Sequence, residues 1–399
     1  MKITFVSNYI NHHQAPLCAE LYAALGEDFA FIQTEPMTQE RMALGWAQSA
    51  EMFSYCHFWE KEREQCEALF LDSDVVLLGW SRLPAGLIEK RLSSGKVTMR
   101  VTERIYKEGQ WKAFSPKGLK AKYREHIRYR RKPVYLLCAG AYVASDFSLI
   151  HAYPEKKFRW GYFPEFRSRS RTQWDGTEEG AARLVFAGRM INWKHPEYAL
   201  KLAKHLKEMS VPYTLEMVGE GPLREPLEAW TKKNGLSGTV LFRRAVTPVE
   251  TRGIMEESHI FLFPSNHLEG WGAVVNEAMN SALAVVGSDG AGSVPFLIEN
   301  GKSGLTFRSG NYEDFEKQAL RLVRDRALCR TLGENAYRVI EREWNAKVAA
   351  ERLLLFCEAL LGEGKPKIFA GTGPLSPAPV IRPKRSAGGR KEPNRQDHM

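Results

Sequence analysis

The sequence lacks features that would each point to a particular class of protein. No apolar run approaches the roughly 20 residues that span a bilayer, so an integral membrane protein is not expected. The opening residues MKITFVSNYI lack the apolar core and cleavage site of a signal peptide. The six cysteines form no CxxC pair and have no histidines at ligand spacing, so neither a zinc site nor a disulfide framework is expected. We therefore expect a cytoplasmic protein with reduced thiols and no metal.

Positive charge is present in excess. The chain has 57 Lys and Arg against 47 Asp and Glu, a formal net charge of +10 and a pI near 9.2. Such a balance suits an anionic partner, which can be a nucleic acid, an anionic membrane surface or a phosphorylated ligand. Charge alone does not choose among these three.

The pattern of short β-branched runs and longer helical stretches predicts an α/β protein. The runs fall at residues 3–7, 30–33, 74–79 and 96–101, and again at 183–188, 213–219, 239–242, 259–263 and 283–289. This rhythm predicts two Rossmann-like domains with parallel sheets facing a cleft, where ligands bind beyond the carboxyl ends of the strands. We place an N-terminal domain at 1–165, a linker at 166–180, a C-terminal domain at 181–340, a helix at 341–361 and a disordered basic tail at 362–399.

A basic loop follows the first strand of the second half. Gly188, Arg189 and Lys194 lie in the segment GRMINWKH, so two cations can converge on one anion. Fixed cations stabilise a leaving diphosphate without a metal. The alternative is a solvated loop, which is common on a basic protein.

Two carboxylates stand out in PSNHLEGWGAVVNEAMNSALAVVGSD. Glu269 lies in a glycine-rich turn, and Glu277 is the one charged residue between 270 and 288, in a predicted buried helix over 272–282. A lone buried carboxylate needs hydrogen-bond donors, and the vicinal hydroxyls of a sugar would supply them. Gly270 and Gly272 let the backbone approach a ligand closely. The alternative is a buried glutamate paired with an arginine or a backbone amide.

These residues carry a resemblance to a known family. In chain order, the matching segments are FAGRMINWK (186–194), VGEGPLREPLE (218–228), VLFRRAVTPVE (240–250), FPSNHLEGWGAVVNEAM (263–279) and ENGKSGLTF (299–307). Over nearly its whole ordered length the chain resembles the retaining family 4 glycosyltransferases of the GT-B fold. Five ordered matches are far more specific than any one of them.

The resemblance implies a role for each matching residue. Arg189 and Lys194 would bind the donor diphosphate, Glu277 the ribose of the nucleotide, and Glu269 the hydroxyls of the transferred sugar. The backbone near the sugar and the phosphate would be that of Gly270, Trp271, Gly272 and Ala273. The donor cleft would be lined by Gly219 and Gly221. The family often has glycine where this chain has His195, and phenylalanine where it has Trp271.

Candidate site residues are harder to identify in the N-terminal half. His12 and His13 follow the first strand and would face the cleft, where they could bond acceptor or sugar hydroxyls; helix capping or packing is the alternative. Glu103 follows the fourth predicted strand, where similar enzymes place a polar residue near the sugar. A surface ion pair with Arg104 or Lys107 is its alternative.

Residues 104–132 carry eleven Lys or Arg against two Glu, interleaved with aromatics. This composition favours docking to anionic lipid headgroups or to a lipid-linked pyrophosphate; a solvated face with packed aromatics is the alternative.

We expect a retaining glycosyltransferase that moves a sugar from a nucleotide diphosphate sugar to a glycan or lipid-linked acceptor, in surface polysaccharide or glycolipid biosynthesis, peripheral at the inner membrane face. The alternatives are a basic nucleic-acid-binding protein, although no nucleic-acid motif is present, and a GT-B-like epimerase or phosphorylase. The sequence does not identify the donor base, the sugar or the acceptor.

Overall fold

The computed structural model of the chain describes residues 1–39, 42, 53–168, 180–244 and 246–383. In these residues two parallel sheets, each flanked by helices, form the two predicted Rossmann-like domains, so the predicted fold class is confirmed. Most of the predicted linker, residues 169–179, lies outside the described residues.

The first sheet is built by residues 3–160. Its strands are β1 (Ile3–Ser7), β2 (Phe29–Gln33), β3 (Cys56–Phe58), β4 (Val75–Leu78), β5 (Val97–Thr102), β6 (Val134–Ala139) and β7 (Lys157–Trp160). Its helices are α1 (Ala15–Leu25), α2 (Arg63–Asp72), α3 (Ala85–Ser93), α4 (Pro116–Glu125) and α5 (Val143–Leu149). The strand order is β3-β2-β1-β4-β5-β6-β7, with every described pair parallel.

The second sheet repeats this plan. Its strands are β8 (Ala182–Ala187), β9 (Tyr213–Val218), β10 (Val240–Arg243), β11 (Ile260–Phe263), β12 (Ala284–Ser288) and β13 (Leu305–Phe307). Its helices are α6 (Pro196–Glu208), α7 (Arg224–Lys233), α8 (Pro248–Glu256), α9 (Val274–Asn280), α10 (Val294–Leu297), α11 (Tyr312–Arg324) and α12 (Arg326–Arg342). The strand order is β10-β9-β8-β11-β12-β13, again parallel between the described pairs.

In both sheets the chain order reverses beside the first strand. β1 lies between β2 and β4, and β8 lies between β9 and β11. Both residue faces of β1 and β11 are buried, as continuous apolar strands covered by helices require. Ligand crevices in such sheets open at these reversal points, at the carboxyl ends of the strands. The loops after β1, β4, β8 and β11 are therefore the ones that shape a site.

The two domains are in direct contact. Rings from both domains form one buried cluster of Trp160, Phe163, Trp271, Phe296 and Trp344. The amide of Ala141 in the first domain donates to the carbonyl of Gly292 in the second at 2.9 Å. The loops that face each other across the cleft are thereby held at short range.

The end of the chain returns to the first domain. Helix α13 (Ala346–Gly362) packs against α1, and the following segment runs along β7. Arg159 donates its amide to the carbonyl of Ser376 and accepts from the amide of Leu375, both at 2.8 Å, and Leu375 is buried. The predicted disorder of 362–399 is therefore wrong around these residues, because backbone pairing with an edge strand does not depend on apolar composition. Residues 384–399 lie outside the described residues.

All six cysteines are free and buried. Among the described helices, none combines the length and apolar character needed to cross a membrane.

Candidate functional site at the interdomain cleft

The loop after β8 carries the predicted cations. Lys194 forms an ion pair with Glu269, and both side chains are mostly buried, at 13% and 14% exposure. Arg189 is exposed and lies over the ring of Trp193, 5.5 Å from its centroid. Within the described residues Arg189 forms no ion pair, so one cation of this loop is committed to a carboxylate and the other faces solvent.

His195, which ends this loop, occupies the position where the similar family often has glycine. Its backbone is left-handed, with φ 49° and ψ 48°, and α6 begins directly after it. This conformation is easy for glycine and strained for other residues, by about 1–2 kcal/mol. Its imidazole contacts Glu197 at 2.9 Å and Asn266 at 3.4 Å, which holds the loop against the loop after β11.

Glu269 lies in the turn after β11, where the sequence predicted it. Burial raises the pKa of Glu269, but the charge and hydrogen bond of Lys194, with a hydrogen bond from Ser265, help to bring the pKa below its ordinary value. The positive charge of Lys107, from the first domain, acts in the same direction. Glu269 is therefore an ionised carboxylate held between cations of both domains.

Glu277 lies in α9 and is 8% exposed, which confirms the predicted buried position. Burial raises its pKa to about 7, against smaller opposing effects of Arg252 and Arg167. Arg252 donates to Asn280 at 2.6 Å and to Ser281 at 3.1 Å. The nearby arginine thus serves neighbouring amide and hydroxyl groups, and its charge compensates Glu277 only in part.

His12 and His13 reach Glu277 from the first domain. One ligand atom of each of the three side chains lies within 4.8 Å of the others. Burial lowers the pKa of His12 to about 4, and burial together with the charge of His12 lowers that of His13, so both rings are neutral near pH 7. The geometry would let these three groups share an ion, although the spacing of histidines along the sequence did not suggest it. The expectation of an enzyme without metal stays a prediction.

Glycines let the loops approach each other. Gly219 has φ 138°, and a side chain on it would overlap the backbone of Gly188. Gly221 is related in the same way to Met190. A side chain on Gly270 would overlap the carboxylate of Glu103 in the first domain. Close packing therefore requires glycine at Gly219, Gly221 and Gly270, whether or not a ligand binds.

Glu103 forms the ion pair with Lys107 that its alternative predicted, and its contact with the transferred sugar stays a prediction. It accepts from Lys107 at 2.7 Å and from the hydroxyl of Tyr162 at 2.9 Å, and it lies against Gly270. Arg104 does not pair with it. That guanidinium is buried and donates to Asp146 at 3.1 and 3.2 Å. Glu103 and Lys107 therefore stand at the cleft, and Arg104 holds the first domain together.

The remainder of the basic segment is largely exposed. Helix α4 is exposed or half-buried along its length. On α4 and the turn before it, apolar and cationic side chains lie next to one another. We call this the basic surface, and its residues are Trp111, Lys112, Phe114, Lys117, Leu119, Lys120 and Tyr123. Tyr106 and Tyr129, by contrast, are buried core residues.

Two groups at the cleft, Lys107 and Arg252, and one exposed ring, Trp80, were missed from the sequence. Lys107 was considered only as a partner of Glu103, and Arg252 precedes Glu277 by 25 positions with no motif to link them. Trp80 directly follows Gly79 at the end of β4. Because ligands bind just beyond strand ends, this position would have marked Trp80 as a candidate binding residue.

Comparison with known proteins finds a family match over the second domain. Residues 169–339 match the family described as glycosyl transferases group 1. The sulfoquinovosyl transferase SQD2 of Arabidopsis thaliana is 27% identical over 246 residues, which cover 60% of this chain and 46% of the relative. The capsular polysaccharide biosynthesis glycosyltransferase CapM of Staphylococcus aureus is 25% identical over 128 residues, 32% of either chain. The chain spans about half the length or less of these relatives.

Solved structures share the fold over most of the chain. Anabaena Alr3699/HepE in complex with UDP superposes with a TM-score of 0.67 at 13% identity, covering 89% of this chain and 98% of that one. WaaG, a glycosyltransferase involved in lipopolysaccharide biosynthesis, gives 0.57 at 14% identity, covering 90% and 100%. The chain has the GT-B fold of these glycosyltransferases.

Proposed function

We propose that this chain, with its glycosyl transferases group 1 region, is a retaining glycosyltransferase that moves a sugar from a nucleotide diphosphate sugar to a glycan or lipid-linked acceptor. The observation that carries the proposal is the meeting of Lys194 and Glu269 in one mostly buried pair at the cleft, with Arg189 on the same loop. Relatives named for sulfoquinovosyl and capsular polysaccharide transfer support a role in glycolipid or surface polysaccharide synthesis.

The charges suit the departure of a nucleoside diphosphate. When the bond from the anomeric carbon to the diphosphate breaks, negative charge grows on the leaving phosphate oxygen. Arg189 and Lys194 would neutralise it, Arg189 from the solvent side of the cleft and Lys194 from a mostly buried position, where a fixed cation acts without reorganising. The ionised Glu269 would accept hydrogen bonds from hydroxyls of the sugar, and Glu277 would accept those of the ribose. We infer that no cofactor is required.

The first experiment measures release of nucleoside diphosphate from UDP-, GDP-, ADP- and dTDP-sugars. We expect one base to be preferred, with UDP favoured by the ligand of the Anabaena structure. Arg189→Ala should lower turnover by about 100-fold or more, because a preorganised donor to a developing charge contributes about that much. Glu277→Ala should lower turnover at limiting donor, because the ribose hydroxyls lose their acceptor. Exposed Lys204→Ala, on α6, is the control. Full turnover in both site variants would refute the assignment.

A metal is tested on the same reaction. Turnover that survives EDTA supports the inference of a metal-free enzyme. Turnover that EDTA abolishes and Zn²⁺ or Mn²⁺ restores would contradict it and direct attention to His12, His13 and Glu277.

We also infer that the basic surface docks on anionic lipid at the inner face of the cell membrane. Exposed Trp111 and Phe114 stand beside Lys112, Lys117 and Lys120, so apolar contact and charge attraction act at one place. The chain should sediment with phosphatidylglycerol-containing vesicles at low salt and stay free of pure phosphatidylcholine vesicles. Lys117→Glu with Lys120→Glu should abolish sedimentation, and Lys204→Glu should not. Equal binding of both vesicle types would contradict the inference.

The alternatives remain testable. Binding of nucleic acid with a steep salt dependence, and of no nucleotide sugar, would favour the nucleic-acid-binding hypothesis. Phosphate-dependent cleavage of a glycan would favour a phosphorylase, and conversion of one nucleotide sugar into its isomer would favour an epimerase.

A further inference from the structure

Trp80 is an exposed aromatic side chain at the reversal point of the first sheet. It is 77% exposed, although tryptophan buries most of its surface in a typical protein. The large apolar side chains of comparable exposure include Trp111 at 69%, which belongs to the basic surface. Trp80 lies elsewhere, one residue beyond Gly79 at the carboxyl end of β4.

The backbone on both sides of Trp80 is fixed. The amide of Gly79 donates to the carbonyl of Val6 at 2.8 Å, and the amide of Arg82 donates to the hydroxyl of Thr34 at 3.2 Å. Leu83 is buried in the apolar cluster under β4. Trp80 therefore presents its ring from an anchored loop, and a loop that is already ordered loses little backbone freedom when a ligand covers the ring.

The surroundings of Trp80 belong to the cleft. β4 pairs with β1 in register, with Leu78 opposite Val6, so the loop holding Trp80 lies beside the loop that carries His12 and His13. That second loop reaches Glu277 of the other domain. Trp80 thus stands on the first-domain wall, at the strand ends where ligands of such sheets bind.

The polar groups beside Trp80 suit a neutral ligand. Arg82 forms an ion pair with Glu35 at 3.1 Å, so the cation here is matched by a carboxylate. The basic surface has cations in excess, which makes Trp80 a poor site for anionic lipid by comparison. Exposed apolar surface combined with planar hydrogen-bonding side chains is what a pyranose needs, because a sugar ring has an apolar C–H face and a rim of hydroxyls.

We propose that Trp80 is the stacking platform of an acceptor subsite that binds a pyranose unit of the acceptor, with Arg82 and Glu35 bonding its hydroxyls. The inference rests on the proposed transferase function and narrows its acceptor to one that carries a saccharide close to the growing end. It gives the first-domain wall a binding role that does not depend on His12, His13 or Glu103.

The test is saturation-transfer NMR on the full chain with methyl α-D-glucopyranoside, methyl β-D-glucopyranoside, methyl β-D-galactopyranoside and N-acetylglucosamine. At least one should receive saturation at its ring C–H protons. Trp80→Phe should keep most of the effect, and Trp80→Ala should weaken binding about tenfold, since an aromatic contact contributes about 1.4 kcal/mol or less beyond burial. Trp111→Ala, which removes an exposed indole of the basic surface, should match the wild-type chain.

Two results would overturn the subsite: equal saturation in Trp80→Ala and wild type, or no saturation of any of the four sugars. Neither result depends on a donor. Because Trp80 lies in the first domain, the thermal shift caused by a nucleotide sugar should be the same in Trp80→Ala and wild type. If the subsite is refuted but a nucleotide sugar still raises the melting temperature, the transferase proposal stands. If no nucleotide sugar raises the melting temperature, the transferase proposal fails.

Discussion

The two walls of the cleft differ in how they present polar and apolar groups. The second-domain wall holds buried charged groups, with Lys194 paired to Glu269 and Glu277 compensated only in part by Arg252. The first-domain wall presents the neutral imidazoles of His12 and His13 and the exposed ring of Trp80, and its charged residues Glu103 and Lys107 are paired with each other.

This difference fits the proposal that the second domain binds the donor and the first domain binds the acceptor. A donor diphosphate carries the same charges in every nucleotide sugar, so charged groups at fixed positions can recognise it. Acceptors vary in structure, and rings with adaptable polar neighbours suit a variable partner. The following experiments test the contrast, starting with the largest expected effect.

Lys194→Ala should have the largest effect. It leaves Glu269 mostly buried without its cation, so the free energy of unfolding should fall by about 3 kcal/mol. Donor turnover should fall about 1,000-fold, because a charge aimed at the leaving group is lost. The measurements are urea unfolding and release of nucleoside diphosphate.

A double variant separates stability from function. Lys194→Met with Glu269→Gln removes both charges and should recover most of the lost stability while staying inactive. Lys204→Ala is the matched surface control. Near-normal turnover in the Lys194→Ala variant would mean that the charged wall does not serve the donor.

Gly270→Ala tests whether the walls must meet. A methyl group there would overlap the carboxylate of Glu103, which would have to leave its place beside Lys107 and Tyr162 at the contact between the domains. Turnover should fall about 10- to 100-fold, because a displacement near 1 Å costs about that much. Affinity for the nucleoside diphosphate, held by the second domain, should change little. Gly253→Ala, which meets no atom within 4 Å, is the control, and a parallel loss of affinity would contradict the separation.

Glu277 should make stability depend on pH in an unusual direction. Its pKa is about 7 in the folded chain against an ordinary 4.5, so the folded state binds the proton more tightly. The stabilisation is full below pH 4.5 and is lost as the pH rises towards 7, by up to about 3 kcal/mol relative to Glu277→Gln. Urea unfolding of both proteins from pH 4.5 to 8 measures this difference.

Nucleotide binding should show the opposite trend. Ribose hydroxyls donate best to the ionised carboxylate, so affinity should rise as the pH passes 7 in the wild-type chain and stay flat in Glu277→Gln. A flat difference in stability and a flat affinity profile would show that Glu277 is not the titrating group.

His195→Gly should have the smallest effect. Glycine relieves the left-handed strain at φ 49°, a gain of about 1 kcal/mol, and loses the contact with Glu197. We expect a change in the free energy of unfolding within about 1 kcal/mol of zero. His195→Ala keeps the strain and loses the contact, so it should be the less stable of the two; the reverse order would show that strain is not what the glycine relieves.

The second domain was predictable because its motifs combine pattern and chemistry. The turn around Glu269, the lone carboxylate of Glu277 and the basic loop of Lys194 are each visible as short segments beside β-branched runs. Because the carboxyl ends of parallel strands lie at one edge of the sheet, these segments were expected to lie close together. The ion pair between Lys194 and Glu269 was not predicted, because the two residues are 75 positions apart.

The first domain was harder to predict. The strands β3, β6 and β7 were not predicted, since β3 and β7 are short and β6 follows a run of arginines and a proline. The pairing of Leu375 and Ser376 with β7 was also missed, because it joins backbone groups over more than 200 residues. Arg104 illustrates a third difficulty, since a basic run does not reveal which of its members is buried against a distant aspartate.

The central claim is that Arg189, Lys194, Glu269 and Glu277 surround one nucleotide sugar. A crystal structure of the chain with its preferred donor, or with the nucleoside diphosphate, tests it most directly. We expect phosphate oxygens within hydrogen-bond distance of Arg189 and Lys194, and ribose hydroxyls on Glu277. A nucleotide bound elsewhere, with these four side chains unchanged and uncontacted, would contradict the account.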